Sequence, residues 1–187
     1  AQMDFSIFEC PADDIPRVFS SPGISRWSVD HVLSLSEQEK AVFGRVLDHF
    51  GESSALAQEL QSPITTLEKF LQSDHVIFID TDEEGSKING FLRIGFKHLY
   101  VIEDDRKPMV EIDALCLLDF YIFESAQRAG LGIRLFNHML EAEGIEARKM
   151  AYDRPSPKLL PFLKKHFELH DFIPQPNRFV VFRAYFE

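Results

Sequence analysis

The stretch "ESAQRAGLGIRLF", Glu124 to Phe136, separates an apolar run, Leu115 to Phe123, from an amphipathic segment. Within it Gln127, Arg128, Ala129, Gly130, Leu131 and Gly132 spell Q-x-x-G-x-G. Glycines at a strand-to-helix step let the backbone turn, and the helix that follows opens on unpaired N–H groups and a partial positive charge. The combination is an anion site whose natural occupant is a phosphate. It is neither the G-x-G-x-x-G of a dinucleotide fingerprint nor a P-loop, which ends in Gly-Lys-Ser/Thr. An ordinary glycine-containing turn before a helix has the same spelling, so the surrounding segments have to decide.

Three further residues are candidates for proton or polar-substrate chemistry. Asp153 in "DRPS" falls at the end of a predicted strand, beside Arg154 and ahead of a helix start. A carboxylate there either serves function or acts as a cap and ion-pair partner of Arg154. Cys116 is a lone cysteine in an apolar strand, a position that most often holds a small buried core residue. Gln58 in "LAQEL" reads as a helix-surface glutamine. His75, His98, His138 and His166 fit no ligand or triad spacing, and no metal site is expected.

The elements that must position these residues follow from periodicity. From Met3 to Ser25, three prolines and brief apolar patches predict one short strand and then an irregular arm. Leu35, Val42, Phe43, Val46, Leu47 and Phe50 keep a helical rhythm within Ser34 to Leu60, with Gly51 as a break before a second helical piece reaching Gln58. "HVIFID" (His75 to Asp80), "INGFLRIGF" (Ile88 to Phe96) and "LYVIE" (Leu99 to Glu103) predict an antiparallel meander. After "DDRKPM", the apolar segment from Val110 to Phe123 predicts one or two central strands buried on both faces. Ile133, Phe136, Met139 and Leu140 predict a helix from Leu131 to about Glu143 that packs one face on the sheet. "KMAYD" (Lys149 to Asp153) is a short strand, Pro155 and Pro157 open a helix bearing Leu159, Leu160, Leu163 and Phe167, and "RFVVFRAYF" closes the chain as a last strand.

With 187 residues, 45% hydrophobic and 18 of them Phe, the chain can fill one sizeable core, and a single domain over 1–187 is expected. Apolar runs break within about ten residues, short of the ~20 that span a bilayer, which predicts a soluble protein with no membrane insertion. Cys10 and Cys116 are too few and too far apart for a disulfide framework or a zinc cluster, as suits a reduced cytoplasm. The formal charge of -10 argues against generic nucleic-acid binding and suits a basic substrate group such as lysine.

In its strand-to-helix setting the hexapeptide resembles the acetyl-CoA pyrophosphate loop of the GNAT superfamily of N-acetyltransferases. "AQELQSPIT", "LCLLDFYIFESAQRAGLG", "AYDRPSPKLLPFLKKHF" and "NRFVVFRAYF" resemble segments of the α-tubulin N-acetyltransferase family, in that family's order. "SPIT", "DFYI" and "DRPS" are the most specific of these. The resemblance runs from about Val42 onward, and residues 1–40 match poorly. It implies a catalytic domain with the GNAT fold, an α/β (α+β) architecture whose mixed, mostly antiparallel central sheet is flanked by helices.

The family's chemistry follows as an expectation: direct attack of a neutral lysine amine on acetyl-CoA in a ternary complex, the acceptor being the luminal lysine of α-tubulin in microtubules. The resemblance implies acetyl-CoA along Phe120, Tyr121, Ile122, Phe123, Gln127, Arg128, Ala129, Gly130, Leu131, Gly132 and Ile133, and again along Ser156 to Lys165. Arg128, Lys158 and Lys165 would add positive charge near phosphate oxygens, and backbone N–H groups around Phe120 to Ile122 would stabilise the oxyanion. A lysine with pKa near 10.4 is neutral in roughly one side chain in a few thousand at pH 7, so some group must accept or relay its proton. The family implies Asp153 and Cys116 as candidate bases, Gln58 orienting the lysine or a water, and Asp153, Arg154 and Ile64 on the substrate side. The chain departs from the family pattern at Phe123 and Ala129, where histidines stand, at Leu131, where a polar residue is common, and in a shorter "EDDRKPM" loop. A monomer in the cytoplasm, on the microtubule cytoskeleton, is expected, with cilia or axonemes as an open alternative setting. Two other readings stay open: a GNAT enzyme for another protein lysine, and an idle module that binds acyl-CoA or microtubules.

Overall fold

The structure is a computed structural model that describes residues 3–4 in backbone, 23–83 and 87–187. Cys10 and most of the expected arm lie outside the described residues. In chain order the elements are β1 Met3–Asp4, β2 Gly23–Ser28, α1 Val29–Leu33, α2 Glu37–Ala57, α3 Leu67–Leu71, β3 Val76–Thr81, β4 Lys87–Val101, β5 Val110–Ile122, α4 Leu131–Glu143, β6 Ala151–Asp153, α5 Leu159–Phe167 and β7 Phe179–Val180. Among the described residues the hydrogen-bonded strand order is β2-β3-β4-β5-β6-β7, with β1 against β4. The sheet is mixed, with β5 and β6 parallel, while β1 on β4, β2 on β3 and β6 on β7 are antiparallel.

By internal contact the chain divides into two compact units, Ala1–Arg93 with Asp119–Met139, and Ile94–Leu118 with Leu140–Glu187. Aromatic packing dominates the core of the first. The helical rhythm of α2 buries Val42, Phe43, Val46, Leu47 and Phe50 against Ile77, Ile79, Ile88, Phe91 and Phe123. The Phe50 and Phe91 rings stack at 4.9 Å between centroids. A capping box starts α2: Ser36 Oγ accepts from the Glu39 amide at 3.1 Å, and Glu39 Oε1 accepts from the Ser36 amide at 3.2 Å. In the second unit Leu99, Val101, Ala114, Cys116, Leu118, Ala151 and Val181 form the core.

Three expectations change. Gly51 does not break the helix; α2 continues through it to Ala57, because a Cβ there would lie 1.7 Å from the Thr65 carbonyl oxygen and only glycine admits that approach. The two expected strands 88–96 and 99–103 are one strand, β4. Lys97 and His98, which read as an interruption, lie on an exposed stretch of it, where His98 Nδ1 meets Asp113 Oδ1 at 2.8 Å. Val110 to Ile122 is one strand, within the expectation of one or two. The closing segment pairs with the three-residue β6 at Phe179–Val180, adds an isolated antiparallel bridge from Phe182 to Phe172, and then turns into a short 3-10 helix, Arg183–Phe186. Sequence reading also passed over the short helices α1 and α3, which Ser28 and Thr66 cap through their hydroxyls.

Candidate active site

The glycine step is built as its spelling predicts. After β5 a 3-10 turn, Glu124–Ala126, leads to Gln127, whose Nε2 donates to the Ile122 carbonyl at 2.8 Å and folds the loop back on the strand it left. Gly130 has φ 73, a left-handed conformation that a Cβ would strain, in open space with nothing within 4 Å. Helix α4 opens at Leu131, so its first-turn amides have no partner within the helix. Arg128, Ala129 and Gly130 are exposed, Leu131, Gly132 and Ile133 half-buried, and Phe123 is buried against His49 and Phe50. Arg134, one turn into α4, pairs with the buried Asp80 of β3 and ties the helix start to the sheet. Burial pushes the Asp80 carboxyl up, an effect the Arg134 guanidinium opposes.

Gln58 and Ile64 belong to the same unit as this loop. Gln58 is the C-cap of α2 and is half-buried; its Nε2 donates to Ser54 Oγ at 2.9 Å. The Ile64 carbonyl accepts from Arg93 Nη1 at 2.8 Å. Between them lies a residue that sequence reading missed. Asp119, 4% exposed, accepts from Ser54 Oγ and Thr65 Oγ1, both at 2.6 Å, and from its neighbour's amide, Phe120 N, at 3.0 Å. Burial raises its carboxyl above the usual range, and the two hydroxyl bonds and Arg93 pull the other way. The available signal was a lone charge inside the apolar run "CLLDFYIF", since a buried carboxylate has to be hydrogen-bonded.

The second unit holds Cys116, Asp153, Arg154, Ser156, Lys158 and Lys165. Cys116 is fully buried on β5 opposite Ala151, its Sγ donating to the Ala114 carbonyl at 3.3 Å. Burial, helped by the Asp153 carboxylate, pushes its thiol up to about 12. Asp153 ends β6, half-buried and paired with Phe179. Directly after it Arg154 has φ 41 and donates its amide at 3.2 Å to the carbonyl of Arg178, itself at φ 66. Two non-glycine residues in left-handed conformations cost about 1–3 kcal/mol each, and such strain concentrates at functional sites. Ser156 accepts from the Leu159 amide at 3.0 Å ahead of α5, and Lys158 and Lys165 are exposed at either end of that helix.

The family described as "GNAT acetyltransferase, Mec-17" matches residues 6–187. The chain belongs to this family. The match takes in most of the first forty residues, where the motif resemblance was weak. Relatives include an "Alpha-tubulin N-acetyltransferase" of Aedes aegypti, 45% identical over 78% of this chain and 54% of that protein. One from Tetrahymena thermophila is 45% identical over 81% of this chain and 37% of its own length, and "Alpha-tubulin N-acetyltransferase 1" of Danio rerio is 42% identical over 76% and 49%. The chain thus spans about half or less of the curated relatives it matches. Family membership carries the GNAT architecture that the mixed sheet and flanking helices display.

Proposed function

We propose that this chain transfers the acetyl group of acetyl-CoA to a lysine ε-amine of α-tubulin in microtubules, in the cytoplasm. The observation that carries the reading is the loop Gln127 pins to Ile122, which delivers the open, left-handed Gly130 and the amide-rich start of α4 directly after β5. That donor set fits a diphosphate: first-turn amides, an exposed Arg128, and no side chain at Gly130 to fill the approach. By the family resemblance Lys158, which precedes α5, and Lys165 within it are also assigned to the cofactor. Bound there, acetyl-CoA would supply an acetyl thioester activated towards amines.

The chain's own groups divide the remaining work. Amides alternate between the two edges of a strand. The Phe123 amide donates to Asn89 of β4, so those of Phe120 and Ile122 face the opposite edge. Phe120's is committed to Asp119, and Ile122 is therefore assigned as the donor to the acetyl oxygen. Asp153, half-buried at a strand end, attracts the lysine ammonium and takes up its proton. Cys116 is a poor candidate for that role, since a thiol titrating at about 12 is already protonated at pH 7. The formal charge of -10 favours a basic acceptor segment.

The test is radiolabelled acetyl transfer to free tubulin, to microtubules and to an unrelated basic protein. The expected result is label concentrated on α-tubulin in microtubules. Label on the basic protein alone would point to another lysine substrate, and acetyl-CoA binding by calorimetry without transfer to anything would mark an idle module.

A further inference from the structure

The bonds around Asp119 have a direction as well as a location. Phe120 N–H can only donate, and it donates to Asp119 Oδ1, which fixes that oxygen as an acceptor. Ser54 Oγ, 2.6 Å from the same oxygen, must spend its single proton there. What remains on Ser54 Oγ is lone pairs, so the Gln58 amide 2.9 Å away has to approach through its Nε2–H. Nε2 also lies 3.5 Å from Asp119 Oδ1, at the limit of a second bond to an acceptor. With Nε2 committed to the network, Oε1 is the Gln58 atom left to accept from a partner outside it.

We propose that Asp119 and Ser54 are positioning residues that set the polarity of Gln58, so that it presents a hydrogen-bond acceptor to the N–H of an incoming primary amine. The inference rests on the lysine-acetylation reading for its substrate. Thr65 adds geometric support: its hydroxyl bonds Asp119 Oδ2 at 2.6 Å, and its carbonyl packs where only Gly51 lets it. The carboxylate therefore ties the end of α2 to the segment carrying Ile64, whose carbonyl Arg93 holds from β4. A neutral amine attacks through its lone pair and has two N–H groups to direct, so an acceptor beside it orients the lone pair. A donor at that position would compete for the lone pair instead.

The experiment combines a mutant cycle with a spectroscopic reading. Ser54→Ala should lower kcat/KM for microtubules about tenfold, the scale of one oriented hydrogen bond, with acetyl-CoA affinity unchanged by calorimetry. In a Gln58→Leu background the same change should have no further effect, since Ser54 acts through Gln58. Asp119→Leu should lose at least as much, and Asp119→Asn should recover most of it, because its amide oxygen can keep the Oδ1 position while its NH2 faces the Thr65 hydroxyl. In 15N-labelled protein without substrate, the Gln58 side-chain amide protons should show a hydrogen-bonded, dispersed pair that collapses in Ser54→Ala. Full additivity of Ser54→Ala with Gln58→Leu, or a Gln58 amide signal indifferent to Ser54, would overturn the relay. A dispersed, Ser54-sensitive signal in a protein that acetylates nothing would instead leave the relay standing and remove the function it serves.

Discussion

Gly51→Ala should destabilise this chain, although a glycine inside a helix normally invites the opposite. Replacing an interior helical glycine by alanine gains about 0.5–1 kcal/mol of backbone entropy and propensity. Against that gain, the new Cβ would lie 1.7 Å from the Thr65 carbonyl oxygen and 2.8 Å from its carbon, so helix or loop must retreat by more than an ångström to reach even the 3.0 Å that real Cβ atoms respect. The obstacle is backbone, which cannot rotate aside. Overpacking of this kind costs about 1–3 kcal/mol, and displacing Thr65 weakens the 2.6 Å bond to a buried carboxylate, which adds about 1–3 kcal/mol. The balance is a loss of about 3 kcal/mol, or a fall in Tm of about 6–12 °C for a chain of this size. Gly44→Ala is the control on the same helix, because its Cβ would meet the terminal Leu67 Cδ2 at 2.6 Å, a methyl that a rotamer change moves away. That variant should stay within about 1 kcal/mol of wild type. Calorimetric melting of the three proteins decides the matter, and a Gly51→Ala protein melting with or above wild type would refute the close-approach argument.

Asp153→Asn should cut the acetyl-transfer rate by about 10²-fold or more at neutral pH, the usual worth of a positioned proton acceptor, with acetyl-CoA affinity retained; a wild-type pH–rate profile in that variant would remove Asp153 from the proton path. Cys116, buried and with its thiol pushed up to about 12, should resist iodoacetamide in a Cys10→Ser protein from pH 7 to 10, where an ordinary thiol of pKa ~8.5 accelerates; rapid stoichiometric alkylation of that variant at pH 8, read by intact mass, would show that the Cys116 thiol is accessible and reactive after all.

What could be read in advance divides along the range of the interactions. The rhythm of Val42 to Phe50 and the glycine step are local patterns, and α2 and α4 stand where those patterns put them. Gly51 failed because glycine carries the same letter whether it ends a helix or admits a neighbouring backbone, and the neighbour, Thr65, arrives only on folding. Lys97 and His98 misled for a related reason: strand β4 has a solvent-facing stretch there, and exposed polar residues in a strand look like a turn when the partner strand is unseen. Asp119 was hidden by distance, its hydroxyl partners lying 65 and 54 residues away along the chain. Cys116 shows the reverse case: bare residue chemistry indicates a small buried core thiol, and Cys116 lies fully buried in the core of the second unit.

The end of β5 explains why one charge could sit in so apolar a segment. Successive side chains of a strand point to opposite faces, and here the odd positions Asp119, Tyr121 and Phe123 turn towards α2, Phe123 packing on Phe50 at 5.7 Å between ring centroids. Phe120, an even position, meets Phe136 of α4 at 6.0 Å. Both faces are covered, so alternation of polarity is absent and the sequence reads as one continuous apolar run. Such a strand has little in its hydrophobic pattern to fix its register, because a slip of one residue exchanges one apolar face for another. Asp119 removes that ambiguity: in the observed register it finds Ser54 and Thr65, whereas one residue out it would be turned to the face where Phe120 meets Phe136. A buried carboxylate without partners costs several kcal/mol. The same bonds that orient Gln58 therefore also select the register in which the Ile122 amide and the glycine step emerge on the edge where Gln127 can hold them.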